Sequence, residues 1–274
     1  AYAFGLHRRH GRVVDVVGDT LVTVAHQPPN HVGAHAPETH HCQLHSARLP
    51  RFPSDTVRGM GDLERDHAAA VAAHRTLEPT LLALAHEPVG RPSLLPGWTL
   101  GHVLTHIARN ADGFRRMLEG AQRGEVAEMY PGGLERRNAD IDAGATRTME
   151  AIIDDVRVSA ARLEMAFDVM SAAAWDAEGT APFGPVAMRE IPFRRCREVH
   201  VHHADLGLAF TWREWPNEYV RLELQRMTML WNSRRSMGMT GLPPHALAVD
   251  DHHRVAWLLG RATIDGLDSA GLMT

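Results

Sequence analysis

Two stretches decide how this chain is read: Gly-Trp-Thr-Leu-Gly-His-Val-Leu-Thr-His-Ile-Ala-Arg-Asn-Ala-Asp at residues 97–112, and Arg-Glu-Val-His-Val-His-His-Ala-Asp-Leu-Gly at residues 197–207. Both carry helical spacing. In the second, Glu198 and His202 are four apart and lie one above the other on one helix face. In the first, His102 and His106 have the same spacing, so a helix can present either or both to a shared site, and spacing alone does not choose between them. Two imidazoles and one carboxylate drawn from two helices form a donor set for a divalent cation. They leave coordination positions open, which is what a catalytic metal needs.

Working outward, Thr99 is placed to cap the helix that follows it, whose apolar stripe is Val103, Leu104, Ile107, Ala111, Phe114 and Leu118. An earlier helix starts near Asp62 with an apolar face of Leu63, Ala70, Val71, Leu77, Leu81, Leu82 and Leu84, and ends near Pro88-Val89-Gly90. A third helical period runs from about Leu134 to Met170, with a break expected near Gly144; residues 171–187 read as loop. The helix carrying Glu198 is expected to start at Pro192, a good first-turn proline, and to stop at Gly207. Four helices with long connections predict a four-helix bundle over residues 60–211, an architecture whose core commonly holds metal sites built from facing helices. Beyond it, Trp212-Arg213-Glu214-Trp215-Pro216 reads as a linker into a small α+β C-terminal domain, residues 212–274. There a helix is expected over 217–236, with Val220, Leu222, Leu224, Met227 and Leu230, then a short strand at Leu247-Ala248-Val249 and a last helix opening at Ala256-Trp257-Leu258. The fold class is mainly α.

Residues 1–59 differ in kind. They hold eight histidines (His7, His10, His26, His31, His35, His40, His41 and His45), several prolines and no helical period. A hairpin is expected between Val13 and Val24 around Gly18-Asp19; the remainder reads as a poorly ordered His/Pro-rich extension, with Met60 a natural start for the ordered chain. Ligands such as His40, His41, Cys42 and His45 on a floppy segment are not preorganised, so any metal they take is adventitious.

The 274 residues carry a net charge of −4 and no lysine, so all the side-chain positive charge is arginine, which reads as GC-rich coding. Without a basic block, nucleic acid is not expected as a partner. Cys42 and Cys196 are far apart and form no CxxC, which points away from a disulfide framework and toward a reducing cytoplasm. No apolar run is long enough to cross a bilayer, and none of signal-peptide length follows Arg8, Arg9 and Arg12.

The two stretches quoted above resemble the mycothiol-dependent maleylpyruvate isomerases, members of the DinB-like superfamily of metal-binding four-helix bundles. Glu128-Met129-Tyr130-Pro131, Arg136-Arg137-Asn138-Ala139-Asp140-Ile141 and Leu259-Gly260-Arg261-Ala262 extend the likeness over about residues 60–274. The resemblance implies His106, not His102, as ligand, together with Glu198 and His202. It implies Arg261 as a catalytic arginine contributed by the C-terminal domain, whose stretch between Trp231 and Leu259 is short for the family. It further implies Zn²⁺ or another divalent metal, mycothiol as a diffusible thiol, and a cis–trans isomerisation of maleylpyruvate to fumarylpyruvate in aromatic catabolism. The chemistry is coherent. A thiolate adding to the cis double bond leaves a single bond that can rotate; a metal makes the thiolate available at neutral pH, and an arginine matches the enolate or the substrate carboxylates. The expected partners are a small anionic substrate and a low-molecular-weight thiol, with the protein a monomer or weak homo-oligomer. Two rivals remain: a mycothiol S-transferase acting on other electrophiles, and a non-catalytic metal-binding regulator with a closed four-ligand site.

The neighbouring residues carry plainer readings. Glu198 reads either as a ligand or as a surface carboxylate paired with Arg194 or Arg195. His200 and His203 face away from the ligand side, as second-sphere donors or surface histidines. Asp205 either accepts the other ring N–H of His202 or faces solvent. Cys196 reads as a small buried residue, Asn110 as a pocket-lining residue and Trp98 as a bundle anchor.

Overall fold

The stripe from Val103 to Leu118 turns wholly inward, and this places helix α2 at the centre of the molecule. The computed structural model describes residues 13–17, 20–24, 60–234 and 241–272. Strands β1 (Val13–Val17) and β2 (Thr20–Val24) pair antiparallel with Val17 opposite Thr20, which is the expected hairpin. Then come α1 (Met60–Leu84), α2 (Leu100–Gln122), α3 (Gly133–Gly144), α4 (Met149–Asp168), the short α5 (Ala172–Trp175), strands β3 (Glu178–Ala181) and β4 (Gly184–Ala187), and α6 (Ile191–Asp205). The chain ends with α7 (Asn217–Ser233), α8 (Pro244–Leu247) and α9 (Asp251–Leu258). Helix α2 packs on α4 and α6, and α1 on α6 and α4, closing a four-helix bundle. The rest of 1–59, where the disordered extension and the His40–His45 cluster are expected, lies outside the described residues.

Local signals explain most boundaries. Thr99 caps α2, proline stands in the first turn of α6, and Gly144 ends α3 where the long third period is expected to break. The Thr148 side chain then caps α4 by accepting from Ala151 N–H at 3.3 Å. On α1, Ala70, Leu77, Leu81 and Leu84 are buried, but Leu82 is exposed, because it falls one position past Leu81 and so lies about 100° around the helix.

Three expectations are corrected. Residues 171–187 are not plain loop but hold α5 and the β3–β4 hairpin, in which Gly179 packs where a side chain would strike Met117 and Met188. Thr180 exchanges backbone hydrogen bonds with Ala127 and Met129, so the hairpin holds the segment that leads into Tyr130. Leu247-Ala248-Val249 forms no strand: Leu247 ends α8, and Ala248 N–H bonds back to the Pro244 carbonyl at 3.0 Å. Its β-branched and aliphatic composition is overridden by Pro243-Pro244, which starts a helical turn. Finally, Ala256–Arg261 closes a helix instead of opening one. Asp250 caps α9 by accepting from His253 N–H at 2.9 Å, and Gly260, at φ +73°, ends it. The Gly260 N–H bonds to the Trp257 carbonyl and the Arg261 N–H to the Ala256 carbonyl, a Schellman closure that turns Arg261 back toward the bundle.

The Trp212–Pro216 joint is tied down: Trp215 is buried and its Nε1–H donates to the His200 carbonyl at 2.9 Å. One continuous apolar cluster extends from Ala70 on α1 to Leu272. No helix among the described residues is long and apolar enough to cross a membrane.

Helix α2 comes close to the turn between α3 and α4 at Gly101, where a Cβ would stand 2.3 Å from the Ala145 carbonyl oxygen. Backbone cannot step aside as a side chain can. Gly101→Ala should therefore lower stability by about 1–3 kcal/mol, as expected for overpacking a core, despite alanine's better helix propensity. A urea melt checks this: the midpoint should fall with an unchanged m-value.

Candidate metal centre

Helices α2 and α6 bring His106, Glu198 and His202 together. One ligand atom from each lies within 4.8 Å of the others, and all three residues are buried. His106 Nε2 is 3.0 Å from Glu198 Oε2, and His202 Nε2 is 3.7 Å from the same oxygen. The two imidazoles meet edge to face with centroids 4.5 Å apart, and Trp98 packs its ring edge-on against His106.

Each histidine is oriented by its second nitrogen. His202 Nδ1–H donates to Asp205 Oδ2 at 2.8 Å, which fixes the tautomer and leaves the Nε2 lone pair facing the cluster. Asp205 is in turn gripped by Arg261, whose Nε donates to Oδ1 at 3.1 Å and Nη2 to Oδ2 at 2.8 Å. Burial alone would raise the Asp205 pKa, but Arg261 and His202 hold it down to about 2. On the other side, Arg137 Nη2 donates to His106 Nδ1 at 2.8 Å, so the ring proton of His106 sits on Nε2 and points at Glu198. A cation at Nε2 would take the place of that proton.

Burial, with the neighbouring cationic and imidazole groups, pushes the His106 pKa well below its usual value; burial also lowers His202, against the pull of Asp205. Two neutral imidazoles and a carboxylate, dehydrated and held by a carboxylate–histidine contact, are the chemistry that a borderline-soft divalent cation takes. The residues fit such an ion.

The residues expected from the sequence fall as follows. His106, Glu198 and His202 converge. His102 stays outside: its Nδ1 lies 3.3 Å from Thr99 N and 2.8 Å from Thr99 Oγ1, where it completes the cap of α2. Arg261 reaches the site through Asp205, and its Nη1 donates to the Leu259 carbonyl at 2.8 Å. Arg194 pairs with Glu190, while Arg195 donates to the Ile107 carbonyl, to Asn110 Oδ1 and to His74. His200 and His203 are buried, not at the surface; His203 stacks on Phe210 with centroids 3.8 Å apart and lies 2.7 Å from Thr80 Oγ1. Cys196 is buried and its thiol pKa is pushed far up by desolvation, the opposite of a nucleophile.

Arg137 and Arg195 were not legible as site residues. Arg136-Arg137 looks like a solvated basic pair, yet one 100° step on α3 leaves Arg136 exposed and buries Arg137 to 2% exposure. Arg195 is wholly buried, and desolvation lowers its pKa to about 10.

The profile of the mycothiol maleylpyruvate isomerase N-terminal domain family matches residues 70–207. The crystal structure of a mycothiol-dependent maleylpyruvate isomerase is similar at 28% identity and a TM-score of 0.64, over 73% of this chain and 90% of that one. That of a histidine-to-alanine mutant of such an enzyme is similar at 27% identity, with the same TM-score and coverage. No curated protein matches the sequence.

Burial also holds His200 down to about 3 and His203 down to about 4, so both are neutral in the folded protein where the unfolded chain would protonate them. The folded pKa lies below the unfolded one. The stability they contribute is therefore full above about pH 6.5 and drains as pH falls toward their folded values, on the order of 2 kcal/mol per histidine by about pH 5. Urea midpoints taken at about pH 7 and about pH 5 should differ accordingly, and His200→Gln, which removes one titration, should shrink the difference. An equal fall in that variant would show that His200 does not contribute.

Proposed function

The chain belongs to the mycothiol maleylpyruvate isomerase N-terminal domain family, and we propose that it is a thiol- and divalent-metal-dependent cis–trans isomerase converting maleylpyruvate to fumarylpyruvate, with mycothiol as diffusible cofactor. The observation that carries this reading is the buried cluster of His106, Glu198 and His202 in a chain whose solved structural relatives bear that activity in their names. In this reading the three side chains hold Zn²⁺ or a similar divalent ion. Bound there, the ion supplies the positive charge that keeps a thiol deprotonated at neutral pH.

The chain's own residues do the rest. Asp205 holds the Nδ1 proton of His202, so the ring offers Nε2 and cannot turn. Arg261 keeps Asp205 ionised inside the protein and places a positive charge beside the cluster. The buried walls exclude water, which strengthens each of these charge interactions. No protein thiol is required, in keeping with the raised pKa of Cys196. The reading makes the partners a small anionic substrate and a low-molecular-weight thiol, and the setting the cytoplasm.

One observation favours a second reading. The Nε–Nη2 edge of Arg261, the fork expected to clasp a substrate carboxylate, is taken by Asp205. A mycothiol S-transferase on other electrophiles needs the same activated thiol and no such clasp. The regulator reading predicts a fourth ligand from His102, which instead caps α2.

The test is maleylpyruvate turnover by the purified protein, followed by absorbance with and without mycothiol and with and without a chelator. Turnover that requires both is expected. None from a protein carrying one equivalent of metal would overturn the isomerase reading in favour of transfer. His106→Ala should abolish metal retention and turnover together. Arg261→Ala leaves Asp205 buried without its cation, so turnover should fall while cation affinity weakens by roughly tenfold to a hundredfold, measured by competition with a chromogenic chelator. Unchanged turnover in Arg261→Ala would remove Arg261 from the mechanism.

A further inference from the structure

A cavity of about 490 Å³ opens between α2 and the start of α3, walled in part by Arg109, Arg116, Tyr130, Gly132, Arg136 and Arg137. Four arginines face two aspartates there, Asp112 and Asp140. Both aspartates are already matched: Asp112 lies 3.1 Å from Arg109, and Asp140 lies 2.9 Å from Arg136. Arg109 has a further partner in Asp155 at 2.5 Å. That leaves two cations without a carboxylate within ion-pair distance among the described residues. Arg116 donates Nη1 to the Met129 carbonyl at 2.6 Å. Arg137 donates to Asn138 Oδ1 at 2.7 Å and to His106 Nδ1, both neutral acceptors.

Arg137 is the informative one. It is buried, its Nε has no hydrogen-bond partner, and its guanidinium lies 5.6 Å from the Tyr130 ring centroid. The Tyr130 hydroxyl is buried within reach of Arg137 and Asn110. A buried guanidinium with a vacant donor and no counter-ion is costly unless an anion arrives to meet it. The wall of the cavity thus presents positive charge unmatched by a carboxylate and one unused guanidinium donor, and Arg137 touches His106 of the His106–Glu198–His202 cluster.

We propose that this cavity is a carboxylate subsite, with Arg137 as its buried anchor and Arg116 as its second cation, that holds one acidic end of a short dicarboxylate beside the His106–Glu198–His202 cluster. The identity of the dicarboxylate rests on the isomerase reading; the existence of the subsite does not. It also gives the substrate a clasp that Arg261, engaged by Asp205, does not supply.

The probe is maleate, a stable short dicarboxylate, with binding to the full chain measured by calorimetry alongside acetate and inorganic phosphate. Maleate should bind the wild-type chain, and Arg137→Gln and Arg116→Gln should each weaken it by roughly tenfold to a hundredfold, the range for losing one charge-assisted hydrogen bond. Arg123→Gln, at an exposed arginine that pairs with Glu125 outside the cavity, should leave it unchanged. Arg116 is only half-buried, so its variant decides the matter even if Arg137→Gln fails to fold. No maleate binding, or binding that neither variant weakens, overturns the proposal. Phosphate binding with the same arginine dependence and displacing maleate also overturns it, since the cavity would then serve oxyanions generally. Turnover of maleylpyruvate separates the two readings. Arginine-dependent maleate binding without turnover leaves the subsite and removes the isomerase. Turnover with KM unchanged in both variants does the reverse.

Discussion

The site depends on an ionised carboxylate kept where burial would neutralise it. Asp205 is enclosed by protein, and only the double contact from Arg261 and the imidazole of His202 keep its pKa near 2. Remove that charge and His202 loses the acceptor that fixes its tautomer; remove Arg261 and Asp205 loses its reason to stay ionised. The line Arg261–Asp205–His202–Glu198–His106–Arg137 is thus one connected polar network crossing a core that is otherwise apolar. Such a network is worth its desolvation only when its members satisfy one another, and a single truncation strands the rest.

The fold is arranged to assemble that line from distant parts of the chain. Helix α2 supplies His106 and α6 supplies Glu198, His202 and Asp205; α3 brings Arg137, and the glycine-closed end of α9 returns Arg261. Close contact at Gly101 lets the α3–α4 turn approach α2. The β3–β4 hairpin pins residues 127–129 and so sets Tyr130 against Arg137. Trp215, bonded to the His200 carbonyl, ties the segment after the bundle to α6 itself. The site is an interior feature of one continuous core, and its rigidity is that of the packing around it.

This arrangement divides the labour of charge. His106, Glu198, His202 and Asp205 are committed to one another, and Arg261 is committed to Asp205. The positive charge without a carboxylate partner among the described residues lies on the other side of His106, at Arg116 and Arg137, where the cavity is. In the proposed reading, metal holding and anion recognition are adjacent and meet at Arg137, which contacts His106 and lines the cavity.

What the sequence by itself determined was local. The i, i+4 spacing put Glu198 and His202 on one face; Thr99, Pro192, Gly144 and Gly207 marked helix ends; and the stripe on α2 gave the inward face residue by residue. These follow from 3.6 residues per turn and from capping chemistry, which need only near neighbours. Local signals were outvoted elsewhere: Leu247-Ala248-Val249 follows two prolines into a helical turn, and Ala256–Arg261 is the end of a helix whose cap, Asp250, lies six residues before Ala256. Whether His102 or His106 faced the cluster was open to spacing and became definite only when α6 docked on α2, leaving His102 to its cap. The burial of Arg137, the grip of Arg261 on Asp205 and the cavity between α2 and α3 were decided by tertiary structure alone. Each is a contact between residues tens of positions apart, and a side chain's charge carries no mark in the sequence of which other charge will meet it.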